Sequence, residues 1–398
     1  MEALLALCVG SRSVMGSSSI NIGDRTFSHT WATRASMPQA RSDMTATTVG
    51  DKIYLIGGCI MDQVWTHHPE YSFYGCGSGL ASAVSSNVTA YLPLSDGYQT
   101  NFPEAPRARY RHAAAAVGSK IYLFGGSDAS GNILADVDIF DTATGTWEHL
   151  SSSPMPDATT DLAALSHGGL IYVIGGYTAT WEAMHRVQVF NPNLSGSAVW
   201  SQGPSLKQAR GDTFATMIGD SAFVVGGFHH GNNFQFPLKD IERLDLGVDN
   251  TAWIKRREMR VARGDKAMAA VHNVLHVIGG ETKTEDGHSQ PLRDVEVYDP
   301  ETNSWYSGGD IPSDRFRFTA AAHGESIFIF GGQGYLEGNY GTSGSKYPVL
   351  NTVEEYEETV TGDSGKTLEA DTAAPRLIGL HLAWALAGIV ANAAILAL

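Results

Sequence analysis

Positive charge and cysteine are what this sequence has least of. Lysine and arginine number 27 against 42 aspartates and glutamates, a formal net charge of −15. No basic run stands anywhere, so the electrostatic footprint of a nucleic-acid-binding protein is missing. Net charge otherwise bears on solubility rather than on fold. Of the three cysteines, Cys8 stands alone, and Cys59 and Cys76 share one loop-like stretch. No second Cys/His pair stands at ligand spacing, so no structural metal is expected. Phosphate-binding glycine loops are missing too: the glycine pairs follow strand-like runs and open into loops, not helices. No nucleophile–base pairing is legible. The expectation is a non-catalytic chain without a cofactor.

What is abundant is glycine in pairs. Gly57-Gly58, Gly125-Gly126, Gly175-Gly176, Gly226-Gly227, Gly279-Gly280 and Gly331-Gly332 stand 68, 50, 51, 53 and 52 residues apart. A period near 50 matches one four-stranded propeller blade. Each pair ends a short apolar run such as Ile121-Tyr122-Leu123-Phe124 or Ile327-Phe328-Ile329-Phe330, which reads as a strand buried on both faces. A small-residue run such as His112–Ala116 precedes it, fitting a place where strands crowd toward an axis. Two-residue turns join the runs, His272-Asn273 being the weakest match to a hairpin pair. After each glycine pair come a variable loop, an alternating strand and, in four repeats, a tryptophan (Trp147, Trp200, Trp253, Trp305).

Ile-Tyr-x-x-Gly-Gly, then Phe140, Phe190, Tyr298 or Tyr356, then Trp: this pattern resembles the kelch repeat of the galactose oxidase/kelch-like superfamily. The resemblance covers roughly residues 28–360, and Tyr98 takes the tryptophan position of the first repeat. It implies an all-β, six-bladed β-propeller. Trp31 stands 26 residues before Gly57, the same spacing as Trp200/Gly226, Trp253/Gly279 and Trp305/Gly331. The last repeat has no tryptophan after it. An N-terminal strand around 30–34 is therefore expected to complete the sixth blade.

The ends read differently. Residues 1–27 form an N-terminal segment in which the apolar run 3–10 and the small residues Gly16–Ser19 suit a short signal peptide, or a start that is truncated. Residues 361–376 read as a polar linker. Residues 377–398 carry no charged side chain and are long enough for a hydrophobic C-terminal helix across a bilayer. Asp363, Ser364 and Gly365, a spacer and this tail match a GPI-attachment signal, and a retained transmembrane anchor is the competing reading. The first places the protein at the cell surface; the second places a tail-anchored adaptor on the cytosolic face of an internal membrane. Asn87 and Asn193 head glycosylation sequons. In an oxidising compartment Cys59 and Cys76 are expected to pair, closing a loop worth about 3 kcal/mol in the chain-entropy account.

The loops between strands b and c share one face with the d–a turns, and binding is expected there. Trp65, Trp181, Phe234 and Tyr335 are aromatic candidates for holding a protein or glycan ligand, or else they pack their own loops. Arg41, Arg109, Arg210, Arg263 and Arg315 each stand 16 residues before the first glycine of a pair, with Thr159 breaking the ring. Two readings stand open: a guanidinium ring for an acidic ligand, as the resemblance to peptide-binding kelch domains implies, or a repeat residue bonded to carbonyls and acids. Enzymatic alternatives are thin. Kelch-like copper oxidases use a cysteine-linked tyrosine on seven blades, and Glu281, Glu285 and His288 only loosely resemble an iron ligand set. The expected molecule is a monomeric, membrane-attached binding module.

Overall fold

The computed structural model describes residues 14–65, 73–74, 76, 79–229, 236–249, 251–285, 289–334 and 346–362. Five four-stranded antiparallel units and one five-stranded unit follow the glycine ruler. Blade 2 is typical: strands a Ala113–Val117, b Lys120–Phe124, c Val137–Asp141 and d Thr146–His149 lie in that order from the axis outward. The alternation in strand c and the apolar run in strand b bury both faces of each blade against its neighbours. Strand d closes the blade with an aromatic pair: Phe140 and Trp147, Phe190 and Trp200, and Tyr298 and Trp305 lie about 5 Å apart, each directly opposite in register. Tyr98 takes that place opposite Tyr91 in blade 1.

Closure is as the repeat count requires. Strand β2 (Arg25–Arg34) pairs antiparallel with Val353–Thr361, strand c of blade 6, over nine residue pairs, and puts Trp31 opposite Tyr356. The structure adds a strand that the sequence reading left in a leader. β1 (Val14–Ile22) pairs with β2, so blade 6 has five strands. Gly16–Ser19, the proposed cleavage region, lie inside β1, and cleavage there would cut it. Thr361 still belongs to the last strand rather than to a linker. The expected C-terminal helix and the trio Asp363, Ser364 and Gly365 lie outside the described residues. Among the described residues no helix is long and apolar enough to cross a membrane.

The glycine pairs have a steric reason. Both members take positive φ in every blade. The N–H of the second glycine donates to the next blade's d–a turn, for example Gly58 to the Arg109 carbonyl and Gly332 to the Arg41 carbonyl, both at 2.9 Å. A Cβ on the first glycine would overlap that carbonyl oxygen in blades 1 to 4 and 6. His272-Asn273 also takes positive φ at both positions, so it is a hairpin turn of the same kind despite its residues.

Candidate functional site

The five ring arginines sit in the d–a turns, but each guanidinium is fully buried. Each donates to the carbonyl of the glycine 16 residues on: Arg109 to Gly125 at 3.1 Å, Arg210 to Gly226 at 2.9 Å, Arg263 to Gly279 at 3.1 Å, and Arg41 and Arg315 to Gly57 and Gly331 at 3.3 Å. The other end of the fork meets an acid on or just before strand c of the same blade: Asp138, Asp240 with Glu242, Asp294 with Glu296, or Glu354. This corrects the expectation of an anion-binding ring, because every fork is occupied inside its blade. Blade 1 puts Thr89 in the acid's place, and burial without a carboxylate lowers Arg41 to about 10. Blade 3 lacks both charges: Thr159 stands for the arginine and Gln188 for the acid.

Two residues further on, the chain does reach the axis. Asp43, Arg111, Asp161, Asp212, Asp265 and Arg317 all have φ between 48° and 57°. Their backbones form a closed ring: each N–H donates to the carbonyl of the neighbouring member, at 2.8 to 3.3 Å. Sequence reasoning missed this ring, although the Arg-x-Asp and Arg-x-Arg spacing at the five arginines carried its signal. Below it an axial cavity of about 160 Å³ runs along the inner strands past Ala46, Ala114, Ala164, Ala215 and Ala320. Met268 replaces alanine in blade 5 and narrows the cavity on that side.

The ring carries two more carboxylates than guanidinium groups. Arg111 lies 3.5 Å from Asp43 and 3.4 Å from Asp161, and Arg317 lies 3.1 Å from Asp265. Asp212 forms no ion pair among the described residues; it accepts the Tyr177 hydroxyl at 3.0 Å. Burial first, and then the Asp161 and Asp265 charges, push the Asp212 carboxyl well above the usual carboxylate range. Burial also works to raise Asp265, but Arg317 and Arg111 hold it below that range. Tyr177 reaches Asp212 because residue 211 is glycine: a Cβ there would overlap the tyrosine ring, 2.2 Å from its nearest carbon. Trp181, 40% exposed, stands over this part of the mouth, 5.8 Å from the Tyr177 ring and 5.9 Å from the Arg111 guanidinium.

Of the other aromatic candidates, Trp65 belongs by its backbone to Gln63–Trp65, which pairs with Phe73–Tyr74 and with Lys346–Tyr347 of the blade 6 loop. Phe234 and Tyr335 lie outside the described residues. Cys59 and Cys76 are joined by a disulfide. Cys76 offers its carbonyl to the Tyr110 hydroxyl at 3.2 Å, which brings the first loop against blade 2. Asn87 is exposed, but its sequon partner Thr89 is buried and bonded to Arg41. Asn193 and Ser195 are both exposed. Glu281 is buried beside Lys283 at 3.5 Å, His288 lies outside the described residues, and no metal-holding group is found among those described.

The KLHDC2/KLHL20/DRC7 Kelch-repeats domain matches residues 111–332, more than half of the chain. The chain belongs to the kelch-repeat family. Beta-scruin of Limulus polyphemus is 27% identical to this kelch chain over 255 residues, 63% of this chain and 26% of that protein. Kelch-like protein 25 of Xenopus tropicalis is 23% identical over 287 residues, 70% and 42% of the two chains. Kelch-like protein terF of Aspergillus terreus is 25% identical over 325 residues, 79% and 64%. The kelch chain thus spans less than two thirds of each of these relatives. The solved structure of YjhT superposes with a TM-score of 0.62 at 16% identity, covering 82% of this chain and 99% of that one, which shows the fold.

Proposed function

We propose that this kelch propeller is a protein-interaction module that seats a basic side chain of its partner at the axial mouth, on the face shared by the b–c loops and d–a turns. The observation that carries the reading is Asp212, the ring carboxyl that forms no ion pair among the described residues, beside the half-exposed Trp181. A lysine or arginine stem can lie along the indole while its charge meets the Asp161–Asp212 side of the ring. Leu80 and Phe236, both more than half exposed, lie on b–c loops of the same face and supply apolar contact for a partner. The buried state of the five ring arginines argues for a basic rather than an acidic ligand.

The test is selection from a peptide library with lysine, arginine, aspartate and glutamate at varied positions. The bound pool is expected to be enriched in lysine or arginine; Trp181→Ala should weaken the selected peptide by about 30-fold, and Asp212→Asn should do so at pH values above the titration of that carboxyl. Enrichment in acidic residues would overturn the reading. Because Asp212 holds its proton to unusually high pH, affinity for the basic peptide is expected to rise as pH rises through its titration.

Attachment to a membrane through residues 377–398 belongs to the same proposal, and the uncharged composition of that stretch supports it. Release of an internally tagged protein from cells by a phosphatidylinositol-specific phospholipase C is the expected result for a GPI anchor at the cell surface. A tag reached only after permeabilisation would instead put the propeller in the cytosol.

A further inference from the structure

The seam between blade 5 and blade 6 holds a cluster that the binding face does not use. Ser18 of β1, His29 of β2 and Glu358 of the closing strand Val353–Thr361 stand opposite one another in register. The Ser18 hydroxyl and His29 Nε2 are 2.7 Å apart. The His29 ring stacks on Tyr356 at 4.7 Å, and the Tyr356 hydroxyl donates to Glu358 Oε1 at 3.1 Å. From blade 5, His276 Nε2 meets the same oxygen at 3.3 Å, and His272 Nε2 lies 3.3 Å from the Glu358 backbone carbonyl. His29, His276, Tyr356 and Glu358 are each at most 4% exposed. Gly309 of blade 5 covers the outer side: a Cβ there would come 3.2 Å from both His29 Nε2 and Ser18 Oγ.

Hydrogen bonding in this cluster is incomplete. His29 Nδ1, His276 Nδ1 and Glu358 Oε2 are buried without partners among the described residues. No lysine or arginine pairs with Glu358 among the described residues; away from the cluster, Arg25 and Asp299 lie 3.9 Å apart across this seam, and Arg317 and Asp265 meet across it at the axis. One residue, Glu358, therefore meets His276 through its carboxylate and His272 through its backbone carbonyl, with His29 opposite it in register. With neutral imidazoles the row is a set of hydrogen bonds between three strands of blade 6 and strand b of blade 5. Charging His29 would place a cation in a buried position whose ring already stacks on Tyr356 and whose Nδ1 has no partner among the described residues.

We propose that this cluster is an acid-sensitive latch. When His29 takes up a proton, the hairpin β1–β2 lets go of blade 5 and of the closing strand, while blades 2 to 4 stay shut. The electrostatics agree in sign. Burial, with His276 acting the same way, holds His29 below the usual imidazole range despite Glu358. A histidine that resists charging in the folded state loses stability for the fold as pH falls through its unfolded value, about 6.5. Burial works to raise Glu358, but the His276 hydrogen bond, the imidazole charges and Tyr356 bring it below its usual range. That contribution, present above the unfolded carboxyl value of about 4.3, is also lost on acidification. Release leaves the edge of Val353–Thr361 open to pair with another strand.

Hydrogen–deuterium exchange of the full chain, corrected for intrinsic rates, tests the latch between about pH 7.5 and about pH 5, the window in which histidine charges. Peptides from 14–34 and 353–361 are expected to lose about ten-fold or more of their protection at the lower pH, the order set by one histidine that charges on release. Peptides from blades 2 to 4 should keep theirs. The double variant His29→Phe, His276→Gln keeps the stack on Tyr356 and a bond to Glu358, and should remain protected at about pH 5. Equal protection of 14–34 at both pH values in the wild type would overturn the proposal, and so would simultaneous loss in every blade. If the double variant fails to fold, the wild-type comparison alone decides.

Discussion

Arg210→Ala is expected to cost about 3–5 kcal/mol in denaturant unfolding, and Arg263→Ala the same, with little change in peptide affinity per folded molecule. The truncation removes the guanidinium from a site of zero exposure and leaves Asp240 and Glu242, or Asp294 and Glu296, as carboxylates facing one another across the vacated space. It also removes the guanidinium donor from the carbonyl of Gly279, or from that of Gly226, which keeps the Thr213 hydroxyl at 3.4 Å. The charge pairing, rather than the volume, carries the effect, and blade 3 shows the neutral solution. The double change Arg210→Thr, Glu242→Gln copies Thr159 and Gln188, and should recover at least about half of the loss despite a larger cavity. If the copy is as unstable as Arg210→Ala, pairing is not what the arginine supplies. A loss of peptide binding without a loss of stability would return these arginines to the ligand site.

Gly331→Ala is the second large effect, about 3 kcal/mol or more. Two costs combine. At φ 55° any Cβ is strained by roughly 1–2 kcal/mol. The added methyl would also overlap the Arg41 carbonyl oxygen, which accepts the Gly332 N–H at 2.9 Å where blade 6 meets blade 1. Gly324→Ala in the same blade is the control: its φ is 61°, but nothing lies within 4 Å of the new Cβ. The difference between the two unfolding free energies isolates the contact between blades. Equal costs would mean that the second glycine-pair role, close approach of the next blade, is wrong.

The blades were legible because their signals are local and repeated. A glycine pair after an apolar run, a two-residue turn and a tryptophan across from Phe or Tyr each state a backbone requirement within a few residues. Trp31 revealed the closing strand for the same reason: its spacing matched the other repeats. The site was less legible because it depends on which residues meet across blades. The arginines and the axial residues stand two positions apart, yet one set points into its own blade and the other to the axis. That geometry comes from the positive φ at Asp43, Asp161 and their equivalents, which aspartate favours only weakly and the arginines at 111 and 317 do not announce. The acid partner of four of the arginines lies beyond a loop of varying length, so its spacing drifts from 29 residues for Asp138 to 39 for Glu354. β1 was missed because Ser17–Ser19 and Asn21 lack strand propensity; pairing with β2 and the burial of Ile22 hold it.

Closure by β2 also sets an order in time. Arg34 finds its partner at Val353, and Trp31 finds Tyr356, more than 300 residues later in synthesis. At roughly 5–20 residues per second, this stretch waits on the order of half a minute with its hydrogen-bonding edge and its tryptophan unmet. Blades 1 to 5 can assemble as they leave the ribosome, whereas blade 6 forms only from the first and last strands together. The interval in which a chaperone, or a second nascent chain, can capture β2 is thus written into the connectivity.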